Sequence, residues 1–245
     1  MMEVTNALPL RVKRCDMLSA LPVRERTFYE KFVQKSIDEI IEIELMTRGQ
    51  GTVKRFVFSL HASLRFLPDT NGTFFLDSRW HQERIFRITS SAAHRIKTRE
   101  AEFEALADAL ATPRVFATAA TTYGKNTEDV ARQELSMLLQ VPIHEVGLVI
   151  HPEQHWLCCS PDGIISTNNT TRAVEIKCPF SLKGSKLIDA DQEVSYVRYI
   201  HYVNGKLTLR KTRPYFTQVM VILYVLNIQE VHLFVYSKKQ SQPNC

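Results

Sequence analysis

The sequence predicts an α/β fold, with strand-like and helical runs interleaved along the chain and a helical extension at the N-terminus. Strand-like text recurs near Glu145 to His151, Trp156 to Ser160, Gly163 to Ser166, Ala173 to Cys178 and Glu230 to Tyr236. Helical text lies around these runs, near residues 92 to 110, 127 to 140 and 215 to 226. At 245 residues and 44% hydrophobic content, the chain suits one domain with a substantial core.

From the N-terminus, Arg26 to Thr47 reads as one long amphipathic helix. Phe28, Phe32, Val33, Ile37, Ile40, Ile41 and Leu45 fall on or near one face. Thr27 followed by Glu30 resembles a capping box, and Arg48-Gly49-Gln50-Gly51 ends the helix. Between residues 53 and 79, Lys54 to Leu60 has strand character and Pro68-Asp69-Thr70-Asn71-Gly72 is a turn. That segment reads as an inserted hairpin or loop, so residues 1–79 form an extension and residues 80–245 the main unit.

Ser90 and Ser91 read as an N-cap for a helix running from Ala92, and helical text continues from about Ile96 to Leu110, before Pro113. Residues Thr127 to Leu139 follow as a helix with Val130, Leu135, Leu138 and Leu139 in its apolar stripe. Asn126 or Thr127 would cap it, and Pro142 lies just beyond its end. Glu128 is then a first-turn acid, and a favourable contact with the helix dipole is its bland explanation. Asn204-Gly205, between two alternating runs, marks a two-residue hairpin. Tyr215 to Leu226 is a mostly apolar helix that carries one glutamine, Gln218.

Chemistry concentrates in Ser160-Pro161-Asp162-Gly163 and Glu175-Ile176-Lys177-Cys178-Pro179. Side chains alternate along a strand, so Glu175 and Lys177 share a face while Ile176 turns the other way. The text between reads as strand, polar turn and strand, and folding that hairpin can bring Asp162 back beside Glu175. Two carboxylates and a lysine in one pocket suit a divalent metal such as Mg²⁺ and an activated water. A bare Asp…Glu-x-Lys pattern is more often a turn aspartate and a surface ion pair. Here the charges sit within Ala173-Val174-Glu175-Ile176-Lys177-Cys178, where burying an unpaired charge is costly.

Four blocks together carry a family resemblance. They are Trp80-His81-Gln82-Glu83-Arg84 with Ile88-Thr89-Ser90-Ser91; Tyr123-Gly124-Lys125-Asn126-Thr127-Glu128 with Ala131; the Asp162 and Glu175 segments with Phe180; and Tyr215-Phe216-Thr217-Gln218-Val219. In this order they resemble the YqaJ-type viral recombinase family, which includes phage lambda exonuclease, within the PD-(D/E)xK nuclease superfamily. The resemblance covers about residues 80 to 236. It implies a restriction-endonuclease-like core, a mixed central β-sheet flanked by helices.

The same resemblance implies roles. Asp162 and Glu175 would be metal carboxylates, with the Ile176 carbonyl as a further ligand and Glu128 completing the site directly or through water. Lys177 would position the nucleophilic water, and Gln218 would pack against the active centre. Arg84 and Ser91 match positions that hold the 5′-phosphate of a DNA end. The implied function is a Mg²⁺-dependent deoxyribonuclease, with Mn²⁺ as a substitute. Its expected action is 5′→3′ exonucleolysis of linear double-stranded DNA in recombination or mobile-element processing. An endonuclease of the same fold and a catalytically decayed DNA-end-binding module are the alternatives.

A formal charge of +5 fits DNA without requiring it. No stretch approaches transmembrane length and the N-terminus lacks a signal-peptide core, so an intracellular setting is expected, nucleus or cytoplasm. Five cysteines without framework spacing fit reduced thiols. His151, His155, Cys158, Cys159 and Cys178 are legitimate zinc ligands by type, but adjacent strand cysteines face opposite ways, and buried thiols account for them better. Only Ser237 to Cys245 follow Tyr236, where family members commonly continue with elements that shape the DNA channel and a ring-shaped trimer. A homo-oligomer is thus an expectation of the resemblance alone, on a chain read as C-terminally short.

Overall fold

The structure, a computed structural model, describes residues 2–5, 21–48, 79–112, 118–167 and 170–238. The strand and turn expected between residues 53 and 72 lie outside the described residues. Central to the fold is β6, Thr170–Lys177, which makes an antiparallel hairpin with β5, Gly163–Thr167. On its other side β11, Glu230–Val235, runs parallel to it, with Val231 opposite Ala173 and Val235 opposite Lys177. Strand β1, Met2–Thr5, adds antiparallel to β11, giving the mixed order β1-β11-β6-β5.

Both faces of this sheet are covered, which is why Ala173 to Ile176 are buried without interruption. Helix α7, Pro214–Leu226, packs Val219, Ile222 and Leu223 with Ala173, Val231 and Leu233. Helix α6, Ala119–Leu139, packs Ala131 and Leu135 with Ile165, Val174 and Ile176. Leu135 is fully buried, and truncating such a leucine to alanine costs about 2–5 kcal/mol. The period of two therefore assigns Ala173, Glu175 and Lys177 to the α7 face.

The strands expected on one sheet divide between two. Strand β4, Leu157–Cys159, lies between β2, Ile88–Thr89, and β3, Val149–Ile150, in a separate small sheet. Pro161, which has no N–H to give a ladder, interrupts the chain between β4 and β5. The small sheet sits between two packing partners. Cys158 faces Ile40, Ile43, Leu148 and Ile150, whereas Cys159 joins the α7 cluster.

Three helices differ from expectation. The single helix from Arg26 to Thr47 is broken: α1, Val23–Phe28, runs into a π turn at Tyr29–Val33, and α2, Ile37–Thr47, starts afresh. Gln34 is extended, and Ser36 and Glu39 exchange capping bonds at 3.2 and 2.8 Å, so the capping box opens α2 and does not lie at the expected Thr27 and Glu30; the Thr27 hydroxyl instead donates to the Val23 carbonyl within α1. The stretch from residue 92 to 110 is likewise two helices, α4 (Ala93–Lys97) and α5 (Phe103–Ala111), parted where Glu102 takes φ 56°. Neither Ser90 nor Ser91 caps α4; Thr89 Oγ1 instead accepts the Ala92 N–H at 3.2 Å.

Helix α6 begins eight residues before the expected Thr127, on a Thr118–Thr121 capping box. Glu128 is consequently mid-helix, too far from the terminus for the dipole contact first assigned to it. The hairpin at Asn204-Gly205 joins β9, Ile200–Val203, to β10, Lys206–Leu209. Asn204 and Gly205 take φ 50° and 74°, the left-handed pair that a two-residue hairpin turn demands. Helix α3 (Arg79–Ile85), a 3-10 turn at Phe180–Leu182 and the short pair β7 (Ile188–Asp189) and β8 (Val194–Ser195) complete the described elements. Among the described residues no helix is long and apolar enough to cross a membrane.

Candidate active site

The β5–β6 register pairs Gly163 with Val174, so Asp162 stands opposite Glu175. The Asp162 N–H donates to the Val174 carbonyl at 3.0 Å, and its Oδ2 accepts the Ile176 N–H at 2.6 Å. One backbone amide thereby fixes the aspartate against the strand that carries Glu175. The Glu175 side chain is 2% exposed, and its Oε1 accepts from both Lys177 Nζ and Gln218 Nε2, the latter at 2.6 Å. Those two donors offset the cost of burying a carboxylate. Its second oxygen, Oε2, is buried without a partner.

Glu128 approaches from α6. Arg132, one turn on, binds Glu128 Oε1 at 2.7 Å through Nη2 and donates from Nε to the Asp162 carbonyl at 2.9 Å. Its Nη1 reaches Asp129 Oδ1 at 2.9 Å and Glu145 Oε1 at 3.1 Å. The arginine thus ties the helix to the strand end bearing Asp162. Lys177 Nζ lies 4.9 Å from the Tyr215 ring centre, and Tyr199 packs edge-on against Tyr215 at 4.5 Å.

Electrostatics follow from burying three acids together. Burial, then the neighbouring Asp162, pushes Glu175 up to about 8. The same two causes push Glu128 up to about 7, against the opposing pull of Arg132 and Lys177. Asp162 is also raised by burial, with Lys177, the Ile176 amide and Arg132 resisting. Burial works against the Lys177 charge, but Glu175 and Asp162 outweigh it and hold the ammonium protonated well above neutrality. Lys177 is a donor and a fixed positive charge, not a base.

This donor set fits a hard divalent cation. Three oxygen acids repel one another, which with burial raises Glu128 and Glu175 above the ordinary carboxylate range, and Glu175 Oε2 lacks a partner. A cation placed among them would relieve that repulsion. Among the described residues, no three His, Cys, Asp or Glu side chains already surround one cation position. Their oxygens are turned to Arg132, Lys177, Gln218 and the Ile176 amide, so a cation would have to take over some of these contacts.

Arg84 and Ser91 are held on other elements. Strands β2 and β4 are parallel, so the Ser90-Ser91 turn and the Ser160-Pro161-Asp162 turn leave the small sheet at the same end. The Ser90 N–H donates to the Cys158 carbonyl at 3.0 Å, and the exposed Ser91 has its Oγ 3.1 Å from Thr89 Oγ1. The Arg84 guanidinium lies 3.8 Å over the Trp80 ring, which holds it in one orientation. Burial lowers its pKa, although an arginine remains charged. Among the described residues no hydrogen bond or ion pair joins Arg84 or Ser91 to the carboxylates. Sequence reasoning missed Arg132 and the Tyr199–Tyr215 support; the i,i+4 spacing of Glu128 and Arg132 was the available signal.

Residues 79–228 match the family model described as the YqaJ-like viral recombinase domain. The chain belongs to that family. It is similar in fold to the crystal structure of an alkaline exonuclease, LHK-Exo, from Laribacter hongkongensis. Identity is 22%, with 65% of this chain and 73% of that chain covered at a TM-score of 0.48. LHK-Exo in complex with dAMP gives 21% identity, the same coverages and 0.49. A KSHV SOX RNA complex gives 14% identity over 69% of this chain and 60% of that chain, with a TM-score of 0.46. No curated protein sequence matches the chain.

Proposed function

We propose that the chain is a Mg²⁺-dependent deoxyribonuclease, a 5′→3′ exonuclease on linear double-stranded DNA that acts inside the cell in recombination or mobile-element processing. The observation that carries this reading is the shared hold of Lys177 and Gln218 on Glu175, with Asp162 fixed opposite by the Ile176 amide. Asp162, Glu175, the Ile176 carbonyl and Glu128 would hold Mg²⁺, with Mn²⁺ as a substitute. The bound metal would lower the pKa of a water and polarise the scissile phosphate.

The chain's own groups supply the rest. Lys177, kept protonated by its carboxylate neighbours, orients the attacking water and offsets charge growing on the phosphate. Gln218 fixes the Glu175 rotamer. Arg84, braced on Trp80, and the Ser91 hydroxyl would take the terminal 5′-phosphate, which favours an enzyme that starts at ends.

Incubation with linear 5′-phosphorylated duplex and with closed circular DNA, in Mg²⁺ or EDTA, tests the proposal. Loss of the linear duplex alone, only with Mg²⁺, is the expected result. Cutting of the circle would make the protein an endonuclease. End binding without cleavage of either DNA would leave a binding module in its place.

A further inference from the structure

Residues 194 to 229 contain Arg198, Lys206, Arg210, Lys211 and Arg213 and no aspartate or glutamate. That excess equals the formal charge of the whole chain, +5. Elsewhere the surface cations are commonly paired within their own helix or turn, as Arg48 with Glu44, Arg99 with Glu102 and Lys186 with Asp189. Arg198, Arg210, Lys211 and Arg213 are all exposed, and among the described residues none forms an ion pair.

The fold collects these four at one place. The Arg210 N–H donates to the Tyr199 carbonyl at 2.9 Å, extending the β9–β10 register so that Lys211 stands across from Arg198. The Arg213 N–H returns to the Arg210 carbonyl at 3.0 Å, closing the turn into α7. Arg213 caps α7 with no side-chain bond, so the positive end of a 13-residue helix adds to the field. The nearby acid Glu193 lies by Gly205, at the opposite tip of the hairpin. This basic base of the hairpin adjoins the candidate centre, because Tyr199 and Tyr215 from the same segments pack together beside Lys177.

We propose that the turn from β10 into α7, with Arg198 across from it, grips the phosphate backbone of the nucleic acid flanking the bond presented to Lys177. This rests on the nuclease reading above. Four unpaired cations next to a hydrolytic centre match a polyanion that must lie against it, and phosphate contacts position a strand without reading its sequence.

The test is binding of a labelled DNA duplex in EDTA, without turnover, across a salt series. Wild type is compared with Arg210→Gln/Lys211→Gln and with a control of equal charge change, Arg24→Gln/Lys31→Gln. Each lost phosphate contact lowers the slope of log K against log salt by about 0.9. The proposal expects the slope of the first variant to fall by about 2, with affinity down on the order of tenfold to a hundredfold. It expects the control slope to stay at the wild-type value and all three proteins to melt together. Equal losses in the two variants, or none in the first, would overturn the clamp while leaving the nuclease reading in place. Absence of wild-type binding would overturn both.

Discussion

Gln218 Nε2 donates at 2.6 Å to the Glu175 oxygen that Lys177 also holds. A helix and a strand 43 residues apart in sequence therefore share one carboxylate atom. Replacing Gln218 with alanine removes an orienting bond from Glu175 and leaves Arg84 and Ser91 untouched. The expected result is a kcat lower by about 10- to 100-fold at nearly constant KM. Gln218→Glu should be worse, because it sets a fourth acid against Glu175. Steady-state kinetics on a duplex substrate, with melting curves as a folding control, check both.

Arg132 binds two elements at once, and its loss leaves Glu128 and the Asp162 carbonyl without their donor. Its side chain is 12% exposed, so Arg132→Gln should destabilise the fold by about 2 kcal/mol. Arg132→Lys should recover only part of this, since an ammonium cannot span Glu128 and the carbonyl together. Urea denaturation of the three proteins gives the comparison.

Without metal, stability should depend on pH through the buried acids. Glu128 and Glu175 stand at about 7 and about 8 when folded, against an ordinary value of 4.5. The folded state then binds more protons than the unfolded state between 4.5 and about 8. Their contribution is full below 4.5 and is lost as pH rises through about 8. In EDTA, Tm of the wild type should fall relative to Glu175→Gln on going from pH 5 to pH 8, on the order of a few degrees. Mg²⁺ should flatten that difference. A wild-type curve parallel to the variant would show that Glu175 is not proton-binding in the folded state.

Thr118 caps α6 through its exchange with Thr121. Thr118→Ala should cost about 1 kcal/mol, whereas Asn126→Ala, in the helix interior, should cost little or stabilise slightly. Thermal melts of the two variants distinguish a helix that starts at residue 119 from one that starts at residue 127.

Local patterns made much of this legible. Period-two alternation and a polar turn were enough to set Asp162 against Glu175, and Asn204-Gly205 alone located its hairpin. Breaks within continuous apolar text were hidden. The stripe from Phe28 to Leu45 runs on through Gln34 to Ser36, although the backbone is extended there. Conversely, Asn126-Thr127 reads as a helix start, yet α6 already runs through it from Ala119, packed through Ala131 and Leu135. The division into two sheets turned on Pro161. Arg132 was hidden for another reason: on paper its i,i+4 spacing from Glu128 looks like any solvated pair, and only the fold supplies the Asp162 carbonyl.

Most direct is single-turnover cleavage of a 5′-phosphorylated duplex in Mg²⁺ by wild type and Lys177→Ala, with duplex binding measured in parallel. The central claim, that the carboxylate cluster and its lysine hydrolyse the phosphodiester, predicts a rate loss of about 100-fold or more with binding retained. Cleavage by Lys177→Ala at the wild-type rate would contradict it.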